Sequence, residues 1–481
     1  MDWLSELRPL FYPRTLAVVG VSRDKAKFGS VFLRALQKFG FPGEIYPVHP
    51  EGGEILGLKS YANVRDIPGP VDMAAIMVPA PLVPAVLEDC LAKGVPAAEV
   101  FTSGFSETGD ERGAALEREI TRIARRGIRI VGPNCFGVYC PAGGLTLLPG
   151  GRFPSESGPV AFISQSGGHA VEFAREAKGR GIRFSKVISY GNGCDLNESD
   201  LLEYAAQDDE TRLVAMYLEG PREGRRFARL VRDLAARKPV IIWKAGLTRS
   251  GGRAVHSHTA SLAGEKAVWD AFFSQTAAVP VQGLEELGDT VLAFLHLPPT
   301  TGRRLGLVAG GGGLSVAAAD VCDRLGLEVP AFDDGAEGKL REAIPAAGTS
   351  LRNPLDMGVP LIPAPAFERV LDVVAASENV ETIIAILGMF HVLGGTFGPP
   401  RDQRESYLQA LVEVPARVRD RFGKPVIIVL PVDGDEVEMI EVEKGRRQIR
   451  DQYLGLGIPV YPTLERAARA VANVAAYYAK K

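Results

Sequence analysis

Residues 251–264, GGRAVHSHTASLAG, carry two of the chain's six histidines, His256 and His258, in a run of Gly, Ser, Ala and Thr. Residues this small predict a mobile loop. A neutral imidazole is a nucleophile near pH 7. With no triad-like neighbour in the sequence, a histidine on such a tether points to a group carrier, accepting at one site and releasing at another. Two plainer readings stand beside it: a surface loop, or half of a metal site. Zinc would need a third and a fourth ligand, and no Cys/His cluster supplies them.

Three glycine-rich turns are candidates to hold the anion that such a carrier would move. The first, VVGVSRDKAKFGS, follows an apolar run; Gly20 ends the strand, Ser22 offers a hydroxyl, and Gly29 permits a close approach at the helix start. Backbone N–H groups there favour a phosphate, with Lys27 or Arg23 to neutralise it. The spacing is not GxGxxG and no acid follows the second strand, where PVHP stands, so a nicotinamide dinucleotide fits poorly. The second turn, SQSGGHA, comprises Ser164, Gln165, Ser166, Gly167 and Gly168. The third, GGGGLSV, includes Gly311, Gly312 and Gly313. Each would present bare N–H groups at a helix N-terminus, and the two together could face one phosphorylated histidine. Each is equally the ordinary first turn of a doubly wound unit. No phosphate loop of the GxxxxGK[ST] type occurs.

The elements that must position these turns follow from the apolar pattern. Before a joint at 149–159, short β-rich runs (TLAVVG, EIYPV, MAAIMV, EVF, IRIV) alternate with helical stretches, which predicts a parallel sheet covered on both faces. The rhythm returns after that joint and again after a second one at 297–303. KPVII occurs at 238–242 and at 424–428, each time after an Arg-rich amphipathic stretch. Two copies of one doubly wound unit behind a nucleotide-type domain are therefore expected, with limits 1–148, 157–298 and 302–481. The 481 residues exceed one hydrophobic core. A net charge of −3 and the lack of a basic cluster argue against nucleic acid or a membrane surface as partner. Five scattered cysteines predict free thiols, and no apolar run reaches a membrane span, so the expected location is cytoplasmic. Cys135 lacks an evident activating base and is not expected to be a nucleophile.

Taken in order, these motifs resemble the α subunits of NDP-forming (ADP-forming) acyl-CoA synthetases, relatives of succinyl-CoA synthetase. SHTASLAG at 257–264 is similar to the family's SHTGSLAG, and GPNCFG at 132–137, SQSGG at 164–168, SYGN at 189–192 and NPLDM at 353–357 look like family signatures. The resemblance implies an α/β fold: a Rossmann-like CoA-binding domain, then two flavodoxin-like domains. It implies that His258, and not His256, is phosphorylated, with Glu219 in YLEG as its hydrogen-bond partner. It implies contacts to coenzyme A around Gly20, Ser22, Lys27, Gly29, Pro79, Ser103 and Asn134. No metal site is implied on this chain. ATP or ADP with Mg²⁺ would belong to a separate ATP-grasp β subunit in an α₂β₂ assembly, with a small carboxylic acid, CoA and phosphate as the other partners. Ala260, His49 and Phe136 stand where relatives usually differ or vary. The alternative on the same fold is a regulatory protein that binds CoA or acyl-CoA without catalysis.

Overall fold

The apolar runs become strands buried on both faces, as crossover connections through helices require. The computed structural model describes residues 3–481 except 152, 260–263, 345–348, 360–361, 390–392, 394–399, 433–435 and 437–438; the side chains of 255–259 and 401 also lie outside the description. The chain divides into two compact units, one of Met1–Lys178 with Ile182–Leu287, the other of Gly179–Gly181 with Gly288–Lys481.

The first unit holds two sheets. In the first are β1 (Thr15–Val19) and β2 (Glu44–Val48), then, beyond a small hairpin of β3 (Gly53–Ile55) and β4 (Leu58–Ser60), β5 (Met73–Ile76), β6 (Ala97–Val100) and β7 (Arg129–Val131). Their order is β2-β1-β5-β6-β7, all parallel. In the second are β8 (Gly137–Tyr139), β9 (Val160–Ser164), β10 (Phe184–Ser189), β11 (Leu213–Leu218), β12 (Val240–Lys244) and β13 (Val279–Val281). Their order is β13-β12-β11-β9-β10-β8, and β8 alone runs antiparallel. The second unit holds a third sheet of β14 (Leu305–Ala309), β15 (Leu355–Asp356), β16 (Thr382–Ile386), β17 (Val426–Val429) and β18 (Val460–Tyr461), ordered β15-β14-β16-β17-β18.

Leaving aside the hairpin and β8, all three sheets share the flavodoxin-like order 2-1-3-4-5. The repeated KPVII strings sit at corresponding places, as the fourth strands β12 and β17. The chain is thus an α/β protein of parallel sheets, as its apolar rhythm predicts. One core runs through the first unit, joining Leu16 and Val18 of the first sheet to Ile163, Val214 and Ile242 of the second. Phe11 packs against Tyr204 within it, the rings tilted and their centroids 4.4 Å apart. The second unit has its own core around Val308, Leu371, Ile383 and Tyr453.

One expectation is corrected. The stretch around 251–264 is not a loop at its start: Arg249–Thr259 is an α-helix. Local propensity does not decide this stretch: the Thr248 hydroxyl accepts the Gly251 N–H (3.0 Å) at the helix start, and the helix is held beside the turn at Ser106–Thr108.

Close backbone packing makes the first turn testable. A Cβ on Gly29 would strike the carbonyl oxygen of Gly20, which cannot rotate away. Gly29→Ala is expected to cost about 1–3 kcal/mol, read as a lower midpoint for the first unit in calorimetry. Gly224→Ala, where nothing lies within 4 Å, should leave that midpoint unchanged or raised.

Candidate active site

The carboxyl ends of the first sheet's strands enclose a cavity of about 610 Å³. This is where ligands sit in open parallel sheets, beside the point where strand order reverses. Its wall is built after β5 by Met77 and Pro79, after β6 by Phe101 and Ser103, and after β7 by Asn134 and Phe136. Pro79, Ser103 and Asn134 therefore come together in one place. Gly20 and Gly29 meet beneath the first turn; Gly20 has φ +92°, and a Cβ there would lie 2.5 Å from the Met77 carbonyl oxygen. Ser22 and Lys27 lie on that turn and do not line the cavity. The Ser22 N–H donates to Ser30 Oγ (2.9 Å) and the Ser22 hydroxyl oxygen accepts from the Asp24 N–H (3.1 Å), so Ser22 shapes the loop. Lys27 is exposed and caps the Phe28–Phe39 helix with extended backbone, leaving its ammonium available to an anion.

Residues 132–137 then pass from the first sheet into the second, and the SYGN segment fastens them. The Asn192 N–H donates to the Pro133 carbonyl (2.9 Å), the Cys194 N–H to Gly132 (3.0 Å) and the Phe136 N–H to Ser189 Oγ (2.9 Å). Asn134 takes φ +57°, a conformation Asn tolerates better than most residues, and its Nδ2 donates to Asn192 Oδ1 (3.3 Å). The Phe136 ring lies against the second glycine turn: a Cβ on Gly167 would fall 2.7 Å from Phe136 Cγ. The cavity and the start of the Gly167–Gly179 helix thus share one wall.

In that turn, Ser164 Oγ donates to the Ser166 carbonyl (2.7 Å), and the His169 N–H reaches Ser166 Oγ (3.4 Å). Gln165 Oε1 accepts from the Glu219 N–H (2.9 Å) and the Gly220 N–H (3.3 Å), which ties this turn to the end of β11. Glu219 is 3% exposed and accepts from Tyr217 Oη (3.2 Å). Lys244, 5% exposed at the end of β12, donates to the Glu219 carbonyl (2.7 Å) and lies over the Trp269 ring (5.1 Å). Burial brings its ammonium down to about 8. The sequence signal for Lys244, a lysine closing an apolar strand in VIIWK, is weak. The Arg249–Thr259 helix runs beside the 3₁₀ turn Ser106–Thr108. His258 is on that helix, with its side chain outside the described residues, as is Ala260.

A polar network missed by sequence reasoning adjoins that turn. Asn192 Nδ2 donates to Glu107 Oε2 (2.6 Å) and Glu117 Oε2 (2.8 Å), and Arg222 pairs with Glu117 (3.1 Å). These residues come from four separate elements, so no local motif announces them. In the second unit Gly311 precedes the Gly312–Arg324 helix, and Gly313 faces open space. A Cβ on Gly312 would lie 3.3 Å from Asp356 Oδ2, so this turn carries a carboxylate beside it. Asn353 braces the NPLDM segment, accepting from the Leu307 N–H (2.9 Å) and donating to the Leu305 carbonyl (2.7 Å). Among the described residues no group of three His, Cys, Asp or Glu could hold a metal ion, and no helix is long and apolar enough to cross a membrane. Burial raises the Cys135 thiol well above its ordinary range, which keeps it protonated.

Comparison with known proteins defines the class. Residues 14–141 match the CoA binding domain family and 157–294 the succinyl-CoA ligase like flavodoxin domain family. The fold is that of a CoA-ligase-type protein. The chain is 35% identical to acetate–CoA ligase [ADP-forming] I subunit alpha of Pyrococcus furiosus, over 97% of this chain and 96% of the relative. Against acetate–CoA ligase [ADP-forming] I of Archaeoglobus fulgidus it is 40% identical over 79% of its length, but spans only 54% of that protein. A solved structure of the dinucleotide-forming acetyl-coenzyme A synthetase 1 of Ca. Korarchaeum cryptofilum, in complex with phosphate and ADP, superposes with a TM-score of 0.81 at 32% identity, covering 98% of this chain and 96% of that one. The chain belongs to the ADP-forming acetate–CoA ligase family and corresponds in extent to its α subunits.

Beneath the shared wall lies Glu99, 1% exposed, accepting from the Val138 N–H and with Oε1 lacking a hydrogen-bond partner among the described residues. Burial pushes its carboxyl from 4.5 up to about 8. The folded protein therefore holds a proton that the unfolded chain has released; this contribution to stability is full below about pH 4.5 and is lost as pH rises to about 8. Glu99→Gln should gain stability over wild type as pH goes from 5 to 8, read as a widening difference in midpoint between the two proteins.

Proposed function

We propose that the chain is the acyl-handling subunit of an ADP-forming acyl-CoA synthetase, interconverting acyl-CoA, ADP and phosphate with carboxylic acid, CoA and ATP. The observation that carries this reading is the single wall, Phe136 on Gly167, between a cavity of CoA-binding type and an anion-ready helix start. Residues 1–148 would bind CoA, with Gly20, Ser22, Lys27, Gly29, Pro79, Ser103 and Asn134 along its path. The domain 157–298 would handle the acyl phosphate through Ser164, Gln165, Ser166, Gly167 and Gly168; in 302–481, Gly311, Gly312 and Gly313 form a turn of the same anion-binding kind.

The reaction proceeds in three transfers. Phosphate attacks the thioester carbonyl, expelling CoA thiolate and leaving an acyl phosphate. The N–H groups at the start of the Gly167–Gly179 helix suit both the tetrahedral oxyanion and the phosphoryl oxygens. A nitrogen of His258 then takes the phosphoryl group, releasing the carboxylate. Glu219 holds the imidazole, and makes the attacking nitrogen more basic, by accepting from the other ring nitrogen. Finally the phosphohistidine passes the group to ADP. Phosphoryl transfer asks for positioning and charge neutralisation, which this arrangement supports.

The nucleotide and Mg²⁺ would sit on a separate ATP-grasp β subunit, in an α₂β₂ assembly in the cytoplasm. A relative named as a subunit alpha, that of Pyrococcus furiosus, is matched over nearly its whole length, which supports a separate partner. Family membership favours this reading over a regulatory CoA-binding protein.

Intact-mass spectrometry of the full chain with phosphate and acetyl-CoA, kept out of acid, should reveal one added phosphoryl group. The adduct is expected in wild type and His256→Ala and absent in His258→Ala. Its absence from wild type, both here and with ATP and an ATP-grasp partner, would sink the synthetase reading.

A further inference from the structure

The ring of Tyr217 is held by two others. Its centroid lies 4.6 Å from that of His169, on the Gly167–Gly179 helix, and 4.7 Å from that of Trp243 on β12. His169 and Trp243 also touch, at 4.7 Å, so the three rings close on one another. The backbone is fixed as well. Tyr217 pairs across β11 with Ser164 on one side and Trp243 on the other, and the Gln165 N–H donates to its carbonyl (3.2 Å). With the ring so placed, the hydroxyl donates to Glu219 Oε1 (3.2 Å).

Burial, together with the charge of Glu219, raises the phenol well above its ordinary range, so the hydroxyl keeps its proton and remains a donor. The Lys244 ammonium lies within electrostatic reach of the same carboxylate. A buried carboxylate keeps its charge and its direction only where donors and cations meet it.

On the synthetase reading, on which this inference rests, that carboxylate accepts from one nitrogen of the His258 imidazole. As the other nitrogen bonds to phosphorus, the acyl carboxylate leaves with the electron pair of the breaking P–O bond. Positive charge then grows on the imidazole, and the proton on the first nitrogen is held against Glu219. We propose that Tyr217 is a positioning residue for this transfer: its hydroxyl ties down Oε1 of Glu219 and leaves Oε2 for the imidazole.

Because the charge develops in the transition state, losing the hydroxyl should slow the step without weakening substrate binding. A hydrogen bond to an ionised group corresponds to about 10–100-fold in rate when it acts there. Tyr217→Phe removes the hydroxyl and keeps the ring, so the cluster with His169 and Trp243 should survive.

The experiment follows phosphohistidine formation on the full chain by intact mass, with His258→Ala as the blank. Acetyl phosphate is the varied reactant, since it enters directly at the step in question. Tyr217→Phe is expected to lower the maximal rate at least about tenfold, while the half-saturating acetyl phosphate concentration stays within about twofold of wild type. A maximal rate within about twofold of wild type, or a change confined to the half-saturating concentration, overturns the inference and leaves the synthetase reading intact. No adduct in wild type from acetyl phosphate, from phosphate with acetyl-CoA, or from ATP with an ATP-grasp partner overturns both. Should Tyr217→Phe fail to fold, Tyr217→Met, whose flexible chain can fill the space, takes its place with the same outcome expected.

Discussion

The paired course of residues 130–137 and 189–196 is the constraint on which the site depends. One chain leaves the last strand of the first sheet, and within six residues enters the second sheet as its antiparallel edge. Along the way its carbonyls at Ile130, Gly132 and Pro133 are taken by the N–H groups of Leu196, Cys194 and Asn192. A Cβ on Gly191 would strike the Pro133 carbonyl, so the two backbones touch without an intervening side chain. Buried backbone groups that find partners this way leave little freedom to the loop between them. Phe136 and Asn134 are consequently set by main-chain bonds, and their side chains inherit that precision.

Around this seam the charged groups are arranged by depth. Lys244 is held over Trp269 and against the Glu219 carbonyl, which keeps the end of β12 beside the end of β11. Gln165 spans from the glycine turn after β9 to the same place. Three neighbouring strand ends are thus cross-braced by side chains, and the exposed amides of the Gly167–Gly179 helix start stay aimed in one direction. Such fixed donors need no reorganisation when negative charge develops in front of them.

Helix Arg249–Thr259 adds a different principle. Its sequence is rich in small residues, yet it follows β12 as regular helix beside the turn at Ser106–Thr108. Next to that turn stand Glu107 and Glu117, held together through Asn192 and balanced on one side by Arg222.

The sequence by itself determined the strands and the turns. Each depends on local information: apolar runs of strand length, Gly where a Cβ would strike backbone, and the repeated KPVII strings that mark corresponding fourth strands. It also carried the signature motifs from which family membership and the candidate residues His258 and Glu219 could be read. Whether the small-residue stretch at 249–259 was loop or helix was not legible, because its propensities lie close together and packing decides between them. Only the tertiary structure put GPNCFG against SYGN, set Phe136 on Gly167, buried Glu99 under their common wall, and gathered Glu107, Glu117, Asn192 and Arg222 from four places in the chain. Those contacts join residues tens of positions apart, and a one-dimensional pattern contains the residues but not the crossing of the two sheets that makes them neighbours.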